Sequence, residues 1–244
     1  MKKILLLFAL ILGNSIVGQT QSGEIIYKVV KNENYQPQDR GIGFNNFREE
    51  LNSIAENIRF RLVFNGQKSK FVLDKNLTID REDFKTRTAI FILRGKSEFF
   101  TDLSGMYLIE QKEFAGDLFK IQSSFKDLNW NLVNESKKIG QYSCYKATSY
   151  RLSTSKDGTR KKVPIVVWYA PEISTRFGPF EAVGLPGLVL EYNLAQFRFV
   201  AENIVFGEIK TSEDELAATK KGTLITVEDF NNYVKRLSKE KLQD

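Results

Sequence analysis

Strict alternation of apolar and polar positions recurs along the chain and predicts β-strands. In residues 58–64, apolar side chains alternate with two arginines and a valine. One face of such a strand is expected to be buried while the other stays mostly wet. Asn65-Gly66 follows directly, a dipeptide typical of two-residue hairpin turns, and residues 71–73 continue as the return strand.

Further segments show the same pattern or a short apolar run between turn residues. They are residues 24–30, 88–93, 98–101, 106–110, 119–125, 129–134, 142–152, 162–170, 188–193 and 196–206. Asp157-Gly158 predicts a second hairpin between two of them. Many short strands with few long helices favour a mostly β fold, formed by a single curved antiparallel sheet or a half-barrel.

Two segments instead show helical spacing. Residues 45–57 repeat apolar side chains every three or four positions. Near the end of the chain, Thr226 and Asp229 form a cap pattern in front of a second apolar stripe. The fold is therefore expected to carry about two amphipathic helices (α+β). Each helix would pack on the sheet or, alternatively, cover a ligand cavity as a lid.

The first residues have the order of a secretory signal peptide. Lys2 and Lys3 precede nine consecutive apolar residues, 4–12, and small and polar residues follow. The alternative is an N-terminal buried strand or helix. We expect residues 1–18 to be removed and residues 19–244 to form one β-rich domain, exported to the periplasm or the outer envelope. No cysteine lies near the cleavage point, so a lipid anchor is not expected.

Composition narrows the chemistry that the chain can perform. The 244 residues include no His and one Cys, with a formal net charge of +6. Ser-His-Asp and Cys-His catalysis, His-ligated metals, Cys-cluster metals and an internal disulfide are excluded on this count. The basic residues are scattered rather than gathered with aromatics, so no nucleic acid partner is expected. No dinucleotide or phosphate-loop motif indicates a cofactor.

Three motifs in the second half of the chain occur in a specific order. They run from Trp130 to Ala147, from Val167 through Gly178-Pro179, and through Gly184-Leu185-Pro186-Gly187-Leu188 to Glu191. This set resembles the GLPGLI family of exported Bacteroidetes proteins over about residues 128–193. Val189 and Ser174 depart from the family pattern, at positions where Ile and Pro are usual. The family has no established biochemical role, so the resemblance implies an exported β-rich protein rather than a mechanism.

The third motif has a simple physical interpretation. Pro186 at the second position of a turn and Gly187 at the third are typical of a type II turn. Phe177, Gly178 and Pro179 predict another turn shortly before it. These turns would either feed a core strand or form a fixed loop at a cavity mouth or partner interface.

The candidate site residues lie in these motifs. Cys144 would be reactive if Lys146, two residues along the same strand, lowered its pKa; otherwise it is a buried, inert thiol. Trp130, Tyr142, Trp168 and Tyr169 are candidates for core packing or for lining a cavity.

We expect a non-enzymatic envelope protein that binds an apolar ligand or an envelope protein partner. The 19 Phe and 9 Tyr suit an apolar cavity or interface. The alternatives are a structural or surface-interaction protein without a cavity and, more remotely, an enzyme that uses Cys144 or a Ser-Lys pair.

Overall fold

The structure, a computed structural model, describes residues 22–36, 39–75, 83–154, 159–207, 209, 211–212 and 214–240. The strands are β1 (Ser22–Lys31), β2 (Arg59–Asn65), β3 (Lys68–Leu73), β4 (Glu98–Asp102), β5 (Tyr107–Phe114), β6 (Asp117–Ser124), β7 (Asn131–Ile139), β8 (Tyr142–Thr154), β9 (Arg160–Ala170), β10 (Leu188–Leu194), β11 (Phe197–Phe206) and β12 (Thr223–Thr226). The helices are α1 (Ile42–Glu56), α2 (Phe84–Ile92) and α3 (Val227–Glu240). The predicted signal peptide, 1–18, and the predicted turn at Asp157-Gly158 lie outside the described residues.

The strands form one sheet in the order β12-β6-β5-β4-β3-β2-β1-β11-β10-β9-β8-β7. Neighbouring strands are antiparallel except β12, which runs parallel to β6. The sheet does not close into a barrel. The predicted mostly β fold is therefore confirmed, with one parallel pair that the sequence pattern did not indicate.

Strand β2 shows why alternation was an accurate guide. Phe60, Leu62 and Phe64 are buried in the main core. On the opposite face, Arg61 pairs with Glu24 of the adjacent strand β1, and Arg59 reaches across β1 to Glu202 of β11. One face of the sheet is thus apolar, and the other is covered by cross-strand ion pairs.

The predicted strand at 88–93 is wrong, because these residues belong to helix α2 and its end. Asp83 caps the helix by accepting hydrogen bonds from the backbone N–H groups of Lys85 and Thr86. Ala89 and Leu93, four residues apart, point into the core. A short apolar run does not by itself distinguish a buried strand from a helix. The Asp83 cap was the local signal that favoured a helix at this position.

The two predicted helices are both present. Helix α1 extends over Ile42–Glu56, close to the predicted 45–57. Thr226 caps α3 by accepting from the backbone N–H of Asp229 at 3.1 Å, as predicted. The apolar stripe of α3 packs against β6 in a small second core built on Phe119, Ile121 and Phe230.

Candidate functional site

The connection between β9 and β10, residues 171–187, passes over the apolar face of the sheet and is called here the crossing segment. Phe180 at its centre is buried among five aromatic rings, at centroid distances of 4.8–6.1 Å. These rings belong to Phe60, Phe71, Phe99, Tyr192 and Phe199. At this position the chain itself occupies the apolar face that a ligand would otherwise contact.

The turn predicted at Phe177, Gly178 and Pro179 lies later in the chain, because the observed turn runs from Pro179 to Ala182. The Pro179 carbonyl accepts a hydrogen bond from the Ala182 N–H at 3.0 Å. A Cβ at Gly178 would lie 2.6 Å from both the Ala182 carbonyl oxygen and the Val189 Cβ. Glycine is therefore required at this position by close packing.

The predicted type II turn at residues 185–188 is wrong. The Gly187 N–H donates to the Leu185 carbonyl at 2.9 Å, which closes a three-residue γ-turn around Pro186. The Leu188 N–H, which a type II turn would direct to Leu185, instead donates to the Ile173 carbonyl at 3.3 Å. The fixed φ of proline suits the centre of either turn, so the sequence could not separate them.

Close packing requires glycine at position 187, and a positive φ favours glycine at position 184. A Cβ at Gly187 would lie 2.6 Å from the Ala170 carbonyl carbon, inside the backbone of β9. Gly184 has a positive φ of 85° and exchanges two hydrogen bonds with Arg176. Leu185 and Leu188 are buried, whereas Pro186 is exposed. The motif therefore joins the crossing segment tightly to the end of β9.

A buried ionic cluster links the crossing segment to the sheet. The Arg94 guanidinium lies 2.7 Å from the Glu181 carboxylate and 3.2 Å from the Glu110 carboxylate. The same guanidinium lies 4.7 Å from the Phe99 ring centroid and 5.0 Å from that of Phe180. Arg94 therefore pairs with two acids and also contacts two aromatic faces.

The cluster shifts the pKa of each member in favour of its charged form. Burial alone would raise the pKa of Glu110, but Arg94, with Lys112 and Ser97, lowers it to about 2. For Glu181, burial is likewise outweighed by Arg94 and by the Tyr192 hydroxyl, and the pKa is lowered. Both carboxylates stay ionised at neutral pH, so they are suited to electrostatic anchoring rather than to proton donation.

Two buried tyrosines donate hydrogen bonds to the crossing segment and to the start of β10. Tyr192 donates its hydroxyl to Glu181 at 2.7 Å, and Tyr27 donates to the Val189 carbonyl at 2.6 Å. Burial raises the pKa of both phenols, so they remain protonated donors. The sequence analysis did not identify this network. The available signal was a single charged residue, Glu181, inside the long apolar stretch from Phe177 to Leu190.

The structure does not bring Cys144 and Lys146 together as an activated pair. The Lys146 ammonium binds Glu135 at 3.0 Å. Cys144 is fully buried, and burial raises its pKa to about 11 despite the nearby Lys137 ammonium. The thiol therefore has the environment of a buried, unreactive cysteine, which was the second of the two predicted possibilities.

The predicted aromatic candidates contact different parts of the molecule. The Trp130 indole N–H donates to the Val183 carbonyl of the crossing segment at 3.0 Å. Lys137 lies 4.4 Å from the Trp168 ring centroid, and it binds the buried Glu191 at 2.7 Å. Tyr142 packs against the core from a partly exposed position, and Tyr169 is buried. These four residues do not form one site.

Helices α1 and α2 expose large apolar side chains, which we call the α1–α2 apolar surface: Ile42, Phe44, Phe84 and Phe91. Their exposed fractions are 82%, 44%, 67% and 70%. Phe47 of α1 stacks on Phe84 at 6.4 Å, which connects the two helices beneath this surface. Sequence analysis missed the surface because α2 was predicted as a strand.

Two kinds of feature are absent from the residues that the structure describes. The described part of the chain holds no cluster of three metal-ligating side chains of the His, Cys, Asp or Glu type. Among the described helices, none has the length and hydropathy needed to cross a membrane.

Comparisons with known proteins show similarity of fold and a partial family match. No curated protein matches the sequence. Two solved structures of PNGF-II, in P21 and C2 space groups, have a TM-score of 0.52 and 14% and 13% sequence identity. They cover 88% and 89% of this chain, which spans only 33% of theirs. Residues 151–191, which include the whole crossing segment, match the Porph_ging family, described as a protein of unknown function.

Proposed function

We propose that this is an exported, non-enzymatic envelope protein that acts by binding an apolar partner. The observation that carries the proposal is the α1–α2 apolar surface, with Ile42, Phe84 and Phe91 each more than three-fifths exposed. Apolar side chains exposed on one side of a helix mark interaction sites, and Phe84 and Phe91 lie two turns apart on one side of α2.

The crossing segment favours a partner at the surface over a small ligand held on the sheet. Phe180 occupies the centre of the apolar face, and Glu181 ties it down through Arg94 and Tyr192. An apolar ligand at this position would have to displace a segment that packing and ion pairs both stabilise. Binding of an apolar ligand can be tested directly, because a bound fatty acid or phospholipid would raise the melting temperature of the protein.

The environments of the candidate chemical groups support the non-enzymatic part. The Cys144 thiol is buried with a pKa raised to about 11, so little thiolate is present at neutral pH. The Lys146 ammonium is held by Glu135. The thiol is thus kept protonated by burial, and the ammonium is paired with a carboxylate. Turnover of any substrate that vanishes in a Cys144→Ala or Lys146→Ala variant would contradict this part.

Export rests on Lys2, Lys3 and the apolar residues 4–12, which have the order of a cleaved signal peptide. N-terminal sequencing of the protein from native cells is expected to begin near Gln19. The GLPGLI resemblance over residues 128–193 implies the same location. Folded protein that retains Met1 would refute export.

A photo-crosslinking side chain placed at Phe91 tests the binding surface in native cells. The matched control is the same side chain at Val205 of β11, which is also exposed and apolar. We expect a defined adduct from position 91 in the envelope fraction and none from position 205. Equal adducts at both positions, or none at position 91, would contradict the proposal.

A further inference from the structure

We infer that the α1–α2 apolar surface docks onto the headgroup region of a bilayer containing anionic phospholipid. This inference rests on the proposed function and deepens it by naming the chemistry of the partner.

On α2, an arginine lies between the two exposed rings. Phe84, Arg87 and Phe91 follow one another at spacings of three and four residues, which places them on one side of the helix. All three are exposed. On the approach to α1, the Arg40 guanidinium lies 5.3 Å from the ring centroid of the exposed Phe44. Phe44 thus has a guanidinium neighbour, and Arg87 shares one side of α2 with Phe84 and Phe91.

The charge of α2 by itself matches an anionic surface. Helix α1 carries Glu49, Glu50 and Glu56, of which Glu49 is paired with Lys31 and Glu50 with Lys85. Helix α2 carries two cations, Lys85 and Arg87, and no acidic residue between Phe84 and Ile92. Lys85 is already bound to Glu50 at 2.5 Å, and the Asp83 carboxylate is engaged in capping. Arg87 is left as the cation of this helix that can bind a phosphate. A basic residue beside anionic lipid contributes about 1 kcal/mol of attraction.

The geometry favours a bilayer over a protein segment. The side chains of Ile42, Phe84 and Phe91 protrude, as their exposed fractions of 82%, 67% and 70% show. A protein partner would need one matching pocket for each protruding group. The interfacial region of a bilayer accepts such groups without a preformed shape, and the neighbouring arginines then reach the phosphates.

Vesicle flotation of the purified chain tests the inference. The probes are phosphatidylcholine vesicles with and without phosphatidylglycerol. We expect the wild type to float mainly with the anionic vesicles, and a Phe84→Ser/Phe91→Ser variant to lose about tenfold or more in affinity. Arg40→Gln/Arg87→Gln should lose roughly fivefold per arginine on anionic vesicles and little on neutral ones.

Two matched control variants test whether any exposed apolar side chain, or any exposed positive charge, is enough for vesicle binding. Val205→Ser/Leu224→Ser changes exposed apolar residues elsewhere, and Lys235→Gln/Arg236→Gln removes exposed charge from α3. Both should bind and melt as the wild type does. The Phe84→Ser/Phe91→Ser variant loses the Phe47 stacking but should remain folded at the temperature of the flotation assay. Wild type that floats with neither vesicle overturns the inference. A protein adduct at position 91 in cells, with no vesicle binding, overturns it too but leaves the proposed function standing.

Discussion

The crossing segment and helices α1 and α2 both contribute to the main core, but they use their large apolar side chains in opposite ways. Phe180 of the crossing segment is buried among five rings, and charged and phenolic groups hold its neighbour Glu181. The helices bury small or medium residues such as Ala55 and Ala89 and leave Phe84 and Phe91 outward. The first arrangement contributes to stability, while the second leaves apolar surface exposed to solvent, where we propose that it binds a partner.

The residues that match a known family and the residues proposed to bind a partner are therefore different parts of the chain. The match to the Porph_ging family covers residues 151–191 and thus the crossing segment, whose contacts are structural. The helices lie outside that match. A sequence motif can therefore mark the part of the chain that builds the fold rather than the part that contacts a partner.

Removing the Phe180 ring should have the largest effect on stability. Phe180→Ala deletes a fully packed ring, and such changes cost about 3–5 kcal/mol because a cavity remains. The matched control is Phe206→Ala on β11, where the ring is 40% exposed and contacts Phe64 alone among the ring pairs of the described residues. Urea denaturation of both variants measures the difference. A loss at Phe180 no greater than that at Phe206 would show that the crossing segment is only loosely attached.

Gly187→Val should cost about 3 kcal/mol, whereas Pro186→Ala should cost about 1 kcal/mol or less. A Cβ at Gly187 would enter the backbone of β9 at Ala170. Pro186 is exposed, and its loss mainly frees the unfolded chain. Denaturant melts of the two variants decide the point. If the two variants prove equally mild, the crossing segment does not pack on β9 as described.

The ionic cluster should make stability depend on acid pH. The pKa of Glu110 falls from 4.5 to about 2 on folding, and that of Glu181 is also lowered. A lowered folded-state pKa gives stability that is present above pH 4.5 and is lost as the pH falls toward 2. At pH 7 we expect Glu181→Gln to cost about 2 kcal/mol, and this difference should shrink in acid.

The control for the cluster is Glu49→Gln, which removes an exposed partner of Lys31. Exposed pairs contribute little, so this change should stay below about 0.5 kcal/mol at every pH. Urea melts between pH 7 and pH 3 measure both variants. A pH-independent cost for Glu181→Gln would mean that the carboxylate charge does not stabilise the segment.

Local sequence patterns were enough to predict most strands of the sheet, but they did not predict that the crossing segment covers its apolar face. Alternation located β2 and its neighbours, and the Thr226 cap located α3, because each signal lies within a few residues. Helix α2 was missed because a short apolar run has no distinguishing period. The ionic cluster joins Arg94 to Glu181 over a separation of 87 residues, which no local pattern encodes. The sequence predicted the motif residues of the crossing segment but not that they cover the sheet.

The smallest expected effect on stability is the most informative for the proposed binding surface. Phe91→Ser replaces a ring that is 70% exposed, so it should change the free energy of unfolding by no more than about 0.5 kcal/mol. Phe84→Ser also removes the stacking of Phe84 on Phe47, so it should cost about 1 kcal/mol. Serine has a helix propensity close to that of phenylalanine, so α2 itself should persist. Urea melts give the stability, and the same preparations give vesicle affinity. A cost above about 2 kcal/mol would show that the rings pack within the fold. Unchanged stability with lost binding would instead establish that α2 holds these rings outward for a partner.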